Sequence, residues 1–179
     1  CMDFGAKIPY ESVTVVSAVG NSPNAAVAAA RLGLKTALIT DLGADHHGDE
    51  AIATLKANGV STDFVKRHEG QKTNYHYVLW YQDDRTILIK HEEYPYALPE
   101  IGQLASPSGG PKWIYLSSLG EHSLPYHGAI GDYLKANPEV KLAFQPGTFQ
   151  IKLGPEKLKA IYERTEIFFC NVSEAQKIL

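Results

Sequence analysis

The sequence predicts an α/β fold in which a mostly parallel sheet lies between helices on both faces. Short apolar segments alternate with helical ones along most of the 179 residues, and the loops between them are short. Residues 35–40 are nearly all apolar, as expected for a strand that is buried on both faces. These observations favour a three-layer, Rossmann-like arrangement, and the length favours one domain over residues 1–179.

In the first half of the chain, β-branched or apolar runs predict strands at 10–19, 35–40 and 62–68. Runs of small or amphipathic residues predict helices at 24–32 and 49–58. Gly33 and Gly59 follow the two helices and provide their C-terminal stops. Asn21, Ser22 or Asn24 could cap the first helix, and Asp45 is expected to cap the second.

Residues 73–94 predict an antiparallel hairpin that turns at Asp83 and Asp84. Its tyrosines and tryptophan are too many for a simple surface hairpin. One face is therefore expected to cover a ligand or a partner chain, or else to pack on the domain's own core. Together with residues 10–19, this hairpin is predicted to form a small β lid on the α/β core.

Alternation resumes in the second half, where the patterns predict strands at 112–119, 140–147 and 166–171 and helices at 125–138, 155–165 and from residue 173 onward. Pro155 suits the first turn of its helix. The glycine-containing run 128–132 lies inside a helical pattern and is interpreted as helix, not as an anion-binding loop.

Composition excludes several classes of function. The formal net charge is −3 and no basic cluster stands out, which argues against a nucleic-acid partner. The sequence has no apolar run long enough to span a membrane and no secretory signal. Cys1 and Cys170 do not suggest a disulfide framework, so a cytoplasmic location is expected. The chain begins with Cys1 and ends in a helical pattern without a stop, so we expect an internal piece of a longer protein.

The turn between residues 20 and 24 is the first candidate site. Gly20 would let a ligand approach the backbone, and the amides of Asn21 and Asn24 can each donate and accept, which suits hydroxyl groups. The N-terminus of the following helix favours negative charge. Helix capping alone is the alternative, although it would need only one of these residues.

Two further clusters follow predicted strands. His46 and His47 suggest a metal site, but adjacent side chains point to different sides and no third ligand stands at metal spacing. Asn171 and Glu174 lie three residues apart at a helix start, which suits a hydrated Mg²⁺ beside phosphates. A capping arrangement explains that pair equally well.

Nucleotide-binding fingerprints are missing from the sequence. It contains no Walker loop and no G-x-G-x-x-G motif, which argues against a P-loop kinase and a Rossmann dehydrogenase.

The clusters and their order resemble the PfkB, or ribokinase-like, carbohydrate kinases. "VGNSPNAAVAAARLG" (19–33) is similar to that family's first signature, G-G-x-x-x-N-x-A-x-x-x-A-x-L-G, although Val19 replaces the first glycine. "ITDLGADHHGDEAIATLKANGVSTDFV" (39–65) follows the family's next stretch. The aromatic hairpin resembles the substrate-covering lid, and "NVSE" (171–174) resembles the N-x-x-E motif.

The resemblance implies roles for individual residues. Gly20 and Asn24 would contact sugar hydroxyls, with Asn21 a third contact and Tyr75 a contact from the lid. Asn171 and Glu174 would organise Mg²⁺ near the transferred phosphate of ATP. The family aspartate that binds a sugar diol is expected before Cys1, with Asp3 only a weak substitute. The G-A-G-D motif that supplies the anion hole and the aspartate base is expected beyond Leu179, so no catalytic residue is expected within this chain.

The resemblance implies ATP-dependent phosphorylation of a sugar hydroxyl by the parent protein, with 1–179 alone binding its acceptor weakly and not turning over. A nucleoside acceptor of the adenosine type stays open, because bases stack on rings such as Tyr75 and Trp80. A non-catalytic ligand-binding or dimerisation module on the same fold is the other alternative. A homodimer through the β lid is also expected.

Overall fold

A computed structural model describes residues 5–99 and 110–179; Cys1 and Asp3 lie outside the described residues. The helices are α1 (Asn21–Arg31), α2 (His46–Ala57), α3 (Leu124–Ala136), α4 (Thr148–Lys157), α5 (Lys159–Arg164) and α6 (Val172–Ile178). The strands are β1 (Thr36–Ala37), β2 (Thr40–Gly43), β3 (Val60–Ser61), β4 (Val65–His68), β5 (Tyr77–Tyr81), β6 (Asp84–Leu88), β7 (Trp113–Leu116), β8 (Lys141–Phe144) and β9 (Thr165–Phe168).

Parallel pairing dominates, as the sequence predicts. β1 pairs with β3, β2 pairs with β4, and β7, β8 and β9 form a three-stranded sheet in that order, all parallel. At least one helix lies between the two strands of each parallel pair, which is the connection that parallel strands require. The predicted α/β class is therefore confirmed.

The strand predicted at 35–40 is replaced by two short strands, β1 and β2, whereas the strand predicted at 62–68 is realised as β4 and is preceded by the separate short strand β3. Thr36 is opposite Val60, but Thr40 is opposite Val65, so the second segment carries one extra residue between the two ladders. The extra residue is absorbed in a turn, where the Val65 amide donates to the Thr62 carbonyl over 3.0 Å. A local bulge of this kind interrupts strand pairing and cannot be read from hydrophobic periodicity.

The core has two parts. The larger one lies where α3 and α5 pack on the β7–β9 sheet, and its buried members are Leu116, Ile130, Tyr133, Leu134, Val140, Leu142, Phe144, Leu158 and Ile161. The smaller one comprises Leu38, Leu55 and Val60, which join α2 to β3 and are covered by the small side chains of α1. The alanine-rich sequence of α1 therefore serves close packing on the sheet.

Two predicted elements differ in the structure. Residues 10–19 form no strand: the segment is largely exposed and pairs with no strand among the described residues, and β-branched composition alone cannot supply the missing ladder. The helix predicted from Pro155 begins earlier, at Thr148, and Gly154, with φ +78°, separates its first part from the turn at Pro155. The left-handed conformation that glycine tolerates makes this break possible.

The predicted hairpin is confirmed as β5 and β6, which pair antiparallel from Tyr77 opposite Leu88 to Tyr81 opposite Asp84. Every residue of the two strands is exposed, including Trp80 and Tyr81. The alternative in which the hairpin packs on the domain's own core is therefore not realised. In the part of the chain that the structure describes, no helix is long and apolar enough to cross a membrane.

Candidate functional site

The N-terminus of α1 carries the turn that the sequence singles out. The helix begins at Asn21, with Gly20 as its N-cap residue at φ +142°, and no side chain caps it. The capping roles expected for Asn21, Ser22 and Asn24 are therefore wrong. Asn21 Nδ2 lies 3.4 Å from Ser118 Oγ, and the Ser22 and Ser117 hydroxyls are hydrogen-bonded. These contacts join α1 to the carboxyl end of β7.

Gly20 and Asn24 remain open to a ligand. Both residues are exposed, and only the Pro23 ring lies within 4 Å of the place where a Gly20 side chain would start. Within residues 5–99 and 110–179, the Asn24 amide group makes no hydrogen bond, while its backbone N–H donates to the Gly20 carbonyl over 3.0 Å. The turn thus presents backbone and an amide side chain to solvent beside a helix N-terminus, where both can serve a hydroxyl-bearing ligand.

A buried polar network lies under this turn. Gln150 is fully buried; its Nε2 donates to the Ser117 carbonyl over 2.8 Å, and its Oε1 accepts from Gly147 N over 2.7 Å and Leu119 N over 3.3 Å. One side chain therefore sets the geometry between the end of β7 and the start of α4.

His127 completes the network from α3. Its Nδ1 lies 2.7 Å from the Ser123 carbonyl and its Nε2 lies 3.3 Å from Gln150 Nε2. A carbonyl only accepts, so Nδ1 carries the proton and Nε2 accepts from Gln150. Burial lowers the pKa of His127, while the hydrogen bond to Ser123 opposes that shift. The neutral tautomer is the form that fits this network.

Close backbone approach fixes the two loops on either side of the turn. A side chain at Gly147 would meet Ser118 Cβ at 2.3 Å, so α4 begins in direct contact with the segment after β7. A side chain at Gly43 would meet the backbone of residues 71–73 at 2.4–2.5 Å. Glycine is therefore the residue that allows the close approach at Gly147 and at Gly43.

Asp45 ties the start of α2 to residue 73. Its carboxylate accepts from Gly48 N over 2.9 Å, from Thr73 N over 3.0 Å and from Thr73 Oγ1 over 2.6 Å. Burial opposes ionisation, but the hydrogen bonds from Thr73 and Gly48 outweigh it and lower the pKa of Asp45 to about 2. The predicted capping role of Asp45 is confirmed, and the same carboxylate anchors the base of the hairpin.

The structure places Tyr75 against α2. Its ring centroid lies 4.7 Å from that of His47 and 5.1 Å from that of Tyr77. His46 and His47 lie in the exposed first turn of α2, near Glu50. No group of three or more potential metal ligands occurs among the described residues. The two histidines lie at the surface, and His47 stacks on Tyr75 at the start of the hairpin.

Asn171 and Glu174 form a reciprocal capping box at the start of α6. Asn171 Oδ1 accepts from Glu174 N over 2.9 Å, and Glu174 Oε2 accepts from Asn171 N over 2.9 Å. The capping interpretation of the sequence is thus satisfied. Glu174 Oε1 takes no part in the box, and both side chains lie at the surface beyond the carboxyl end of β9.

Several site residues escaped the sequence analysis. Ser117 and Ser118 directly follow β7, and polar residues at the carboxyl end of a strand are the signal that could have identified them. Gln150 and His127 left no such signal: His127 appears as an ordinary polar residue of a predicted helix, and Gln150 lies between a predicted strand and a predicted helix. A cavity between residues 91–96, residues 120–122 and Phe149 was also missed.

The chain is similar to known carbohydrate kinases over most of its length. The profile described as "pfkB family carbohydrate kinase" matches residues 6–179. Mouse ribokinase is 26% identical over 159 residues, which cover 88% of this chain and 47% of the mouse protein. Ribokinase of Bacillus subtilis is 34% identical over 70 residues, which cover 39% of this chain and 24% of that protein.

Solved structures share the fold. A PfkB protein from Polaromonas superposes with a TM-score of 0.72 at 19% identity, over 87% of this chain and 56% of that one. A fructokinase of Halothermothrix orenii gives 0.66 at 24% identity, with 89% and 59% covered. A 2-dehydro-3-deoxygluconokinase of Thermotoga maritima gives 0.71 at 16% identity, with 89% and 52% covered. The chain spans about half the length of these relatives, and its ribokinase-like fold is established.

Proposed function

Because this chain belongs to the pfkB family of carbohydrate kinases, we propose that the protein containing it transfers the γ-phosphoryl group of ATP to a hydroxyl of a small sugar. The observation that carries the proposal is the open turn at Gly20–Asn24, which is held by hydrogen bonds to the carboxyl end of β7. In α/β sheets this edge is where ligands bind.

The proposed acceptor site uses exposed groups on a rigid support. Gly20 backbone and the Asn24 amide would bind sugar hydroxyls, while Asn21, already 3.4 Å from Ser118, would bind from the side. The buried Gln150 network holds the support in place. Because these groups are already fixed in place, the acceptor hydroxyl is held in a reactive position. The phosphoryl-transfer step then needs no further loss of translational or rotational entropy.

The β5–β6 hairpin is proposed as the lid of this site. Every residue of its two strands is exposed, and Asp45 and Thr73 anchor its base. Closure over a bound sugar would exclude water, which otherwise accepts the phosphoryl group. The same exposed strands would also pair two copies of the chain, so we propose a homodimer through the hairpin, to be checked by light scattering.

ATP and Mg²⁺ are the proposed cosubstrate and metal. Mg²⁺ prefers oxygen ligands and retains several waters. Glu174 Oε1 is an oxygen outside the capping box, so the site fits a water-mediated role for Glu174, with Asn171 beside it. When bound, Mg²⁺ neutralises charge on the phosphates. The aspartate base is assigned to the G-A-G-D motif that the resemblance implies beyond Leu179, and a cytoplasmic location stays a prediction.

The test is ADP release by the complete protein with ATP, Mg²⁺ and a panel of sugars. Asn24→Ala is expected to lower kcat/KM by about tenfold or more, the loss of a hydrogen bond between a polar site and its substrate. Gln71→Ala, at another exposed amide, should leave kcat/KM unchanged. A complete protein that releases no ADP with any sugar in the panel would refute the proposal.

A second measurement examines Glu174. Glu174→Gln keeps an oxygen for the capping box and removes the charge, so it should raise the Mg²⁺ concentration that gives half the maximal rate. An unchanged Mg²⁺ dependence would limit Glu174 to its capping role.

A further inference from the structure

The buried amide of Gln150 can adopt one orientation only. Its Nε2 donates to the Ser117 carbonyl over 2.8 Å, and its Oε1 accepts from Gly147 N over 2.7 Å and from Leu119 N over 3.3 Å. Backbone N–H groups only donate and a carbonyl only accepts, so these three contacts fix which end of the amide is oxygen. Rotation of the amide by half a turn would place donors against donors and its oxygen against the Ser117 carbonyl.

His127 can accept from this amide only while its ring is neutral. Its Nδ1 lies 2.7 Å from the Ser123 carbonyl and carries the proton, so Nε2, 3.3 Å from Gln150 Nε2, is the acceptor. Protonation adds a donor at Nε2, which then opposes the N–H groups of Gln150. Both side chains are buried, so neither can exchange this contact for one with solvent. The protonated ring therefore conflicts with the orientation that the backbone imposes on the amide.

No negative charge in the described part of the chain compensates a protonated His127. Burial lowers the pKa of His127, the Ser123 carbonyl opposes that shift, and no charged side chain of the described residues contributes to it. The titratable side chains beside it are Tyr126 in α3 and Tyr96, whose rings lie 6.1 Å apart. Burial raises the pKa of both tyrosines, so both are neutral at acid and neutral pH.

The charged groups of the surrounding elements lie elsewhere. Those of α3, α4 and α5 that are exposed are Asp132, Lys135, Lys152, Glu156, Lys157, Lys159 and Glu163. Arg164 donates to the Leu134 carbonyl and to the carbonyls before β8. In the loop before α3, His122 is paired with the exposed carboxylate of Glu93. A charge on His127 would therefore be relieved by movement of Gln150.

Such a movement would reach the acceptor turn through two serines. Ser117, whose carbonyl binds Gln150, shares a hydrogen bond with the hydroxyl of Ser22 in the first turn of α1. Ser118 Oγ lies 3.4 Å from Asn21 Nδ2. Loss of the hydrogen bonds of Gln150 frees the same short segment to which the turn is attached.

We propose that neutral His127 is a positioning residue for the turn at Gly20–Asn24, and that its protonation releases the Gln150 amide and loosens the turn. The acceptor site then has a pH-sensitive support that lies outside the groups proposed to contact the acceptor. This inference rests on the proposed function, because it assigns the regulation of the same site, but its first test needs no bound sugar.

Amide nuclear magnetic resonance of the complete protein between pH 8 and pH 5 tests the link without a ligand. The amide signals of Leu119, Gly147 and Asn24 are expected to shift with the midpoint of the His127 ring protons, which should lie below 6.5. Amide signals that do not follow the His127 midpoint would overturn the inference. So would a His127 that stays neutral down to pH 5, or a protein that unfolds before His127 titrates. This measurement uses the wild type and does not depend on the folding of a variant.

Matched histidine variants assign the effect. His127→Asn removes the buried titrating ring and should abolish the shared midpoint. His122→Asn removes a ring that is 71% exposed in the neighbouring loop and should leave the midpoint in place. A midpoint that survives in His127→Asn, or is lost in His122→Asn, would contradict the assignment to His127.

Calorimetric titration with fructose and with ribose, without ATP, measures the consequence for the acceptor. One pH unit below the His127 midpoint, only about one tenth of the molecules retain the neutral ring. The Kd of whichever sugar binds should therefore rise by up to about tenfold between pH 8 and that pH, and should be independent of pH in His127→Asn. A Kd of the wild type that does not change with pH would overturn the inference.

ADP release separates this inference from the proposed function. A complete protein that phosphorylates no sugar but shows the shared midpoint at Leu119, Gly147 and Asn24 would refute the kinase and retain the positioning role of His127. Turnover of a sugar by a protein without that midpoint would retain the kinase and refute the positioning role.

Discussion

The hydroxyl oxygens of Ser22 and Ser117 lie 2.5 Å apart and join the first turn of α1 to the carboxyl end of β7. Ser117 is almost fully buried, and its carbonyl accepts from Gln150. One contact between residues 95 positions apart therefore links the candidate acceptor turn to the buried network beneath it.

Removal of either hydroxyl should weaken this link. Ser22→Ala and Ser117→Ala are each expected to lower the free energy of unfolding by about 0.5–1.5 kcal/mol, because each leaves the other hydroxyl without its partner. The double variant should lose less than the sum of the two. Urea unfolding of the wild type, the two single variants and the double variant of the complete protein gives the four free energies of a double-mutant cycle. Strictly additive losses of unfolding free energy would show that the two hydroxyls are not coupled.

His127 should make stability depend on pH. Its folded-state pKa is lowered by burial, so the unfolded state binds more protons below the ordinary pKa of 6.5. The contribution of neutral His127 to the free energy of unfolding is complete above pH 6.5 and is lost as the pH falls toward the folded-state pKa. Urea unfolding between pH 8 and pH 5 should show this loss in the wild type.

The matched variants are His127→Asn and His46→Asn. The first removes the buried titrating group and should flatten the pH dependence of stability. The second removes a histidine whose side chain is 80% exposed and should leave the dependence as in the wild type. Equal pH profiles for the wild type and His127→Asn would contradict the assignment.

Asp45 should contribute stability over most of the acid range. Its pKa falls from 3.8 to about 2 on folding, so its contribution is complete above pH 3.8 and disappears as the pH falls through about 2. Asp45→Ala should lower the free energy of unfolding at pH 7 by about 1–2 kcal/mol through loss of the cap. Asp49→Ala removes the exposed partner of Arg67 and should lower the free energy of unfolding by less. An equal loss in the two variants would argue against the role of Asp45 as the cap of α2.

Gly43 and Gly128 should respond in opposite ways to a single methyl group. Gly43→Ala places Cβ within 2.5 Å of backbone atoms of residues 71–73 and should cost about 3 kcal/mol or more. Gly128 lies in α3 with nothing within 4 Å of the added carbon, so Gly128→Ala should stabilise by about 0.5–1 kcal/mol. Thermal unfolding of both variants tests this contrast, and a stable Gly43→Ala protein would contradict the described crossing.

The sequence by itself determined most of the helices and strands, the parallel pairing and the hairpin. These features follow from local periodicity, and the signature at 19–33 added the family. Local patterns also located the turn at Gly20–Asn24, because glycine and amide side chains at a helix start have few structural explanations. They did not exclude a strand at 10–19, since a strand also needs a partner that its own residues do not specify.

Only the tertiary structure decided how the turn is supported. Asn21 and Ser22 are predicted from the sequence as helix caps, yet their side chains form hydrogen bonds with Ser118 and Ser117, which follow β7. Gln150 and His127 are separated by 23 positions, and nothing in their local sequence distinguishes them from surface residues. Long-range pairing of buried polar groups depends on which helix faces meet, and that choice is made by packing of the whole core around Phe144 and Leu134.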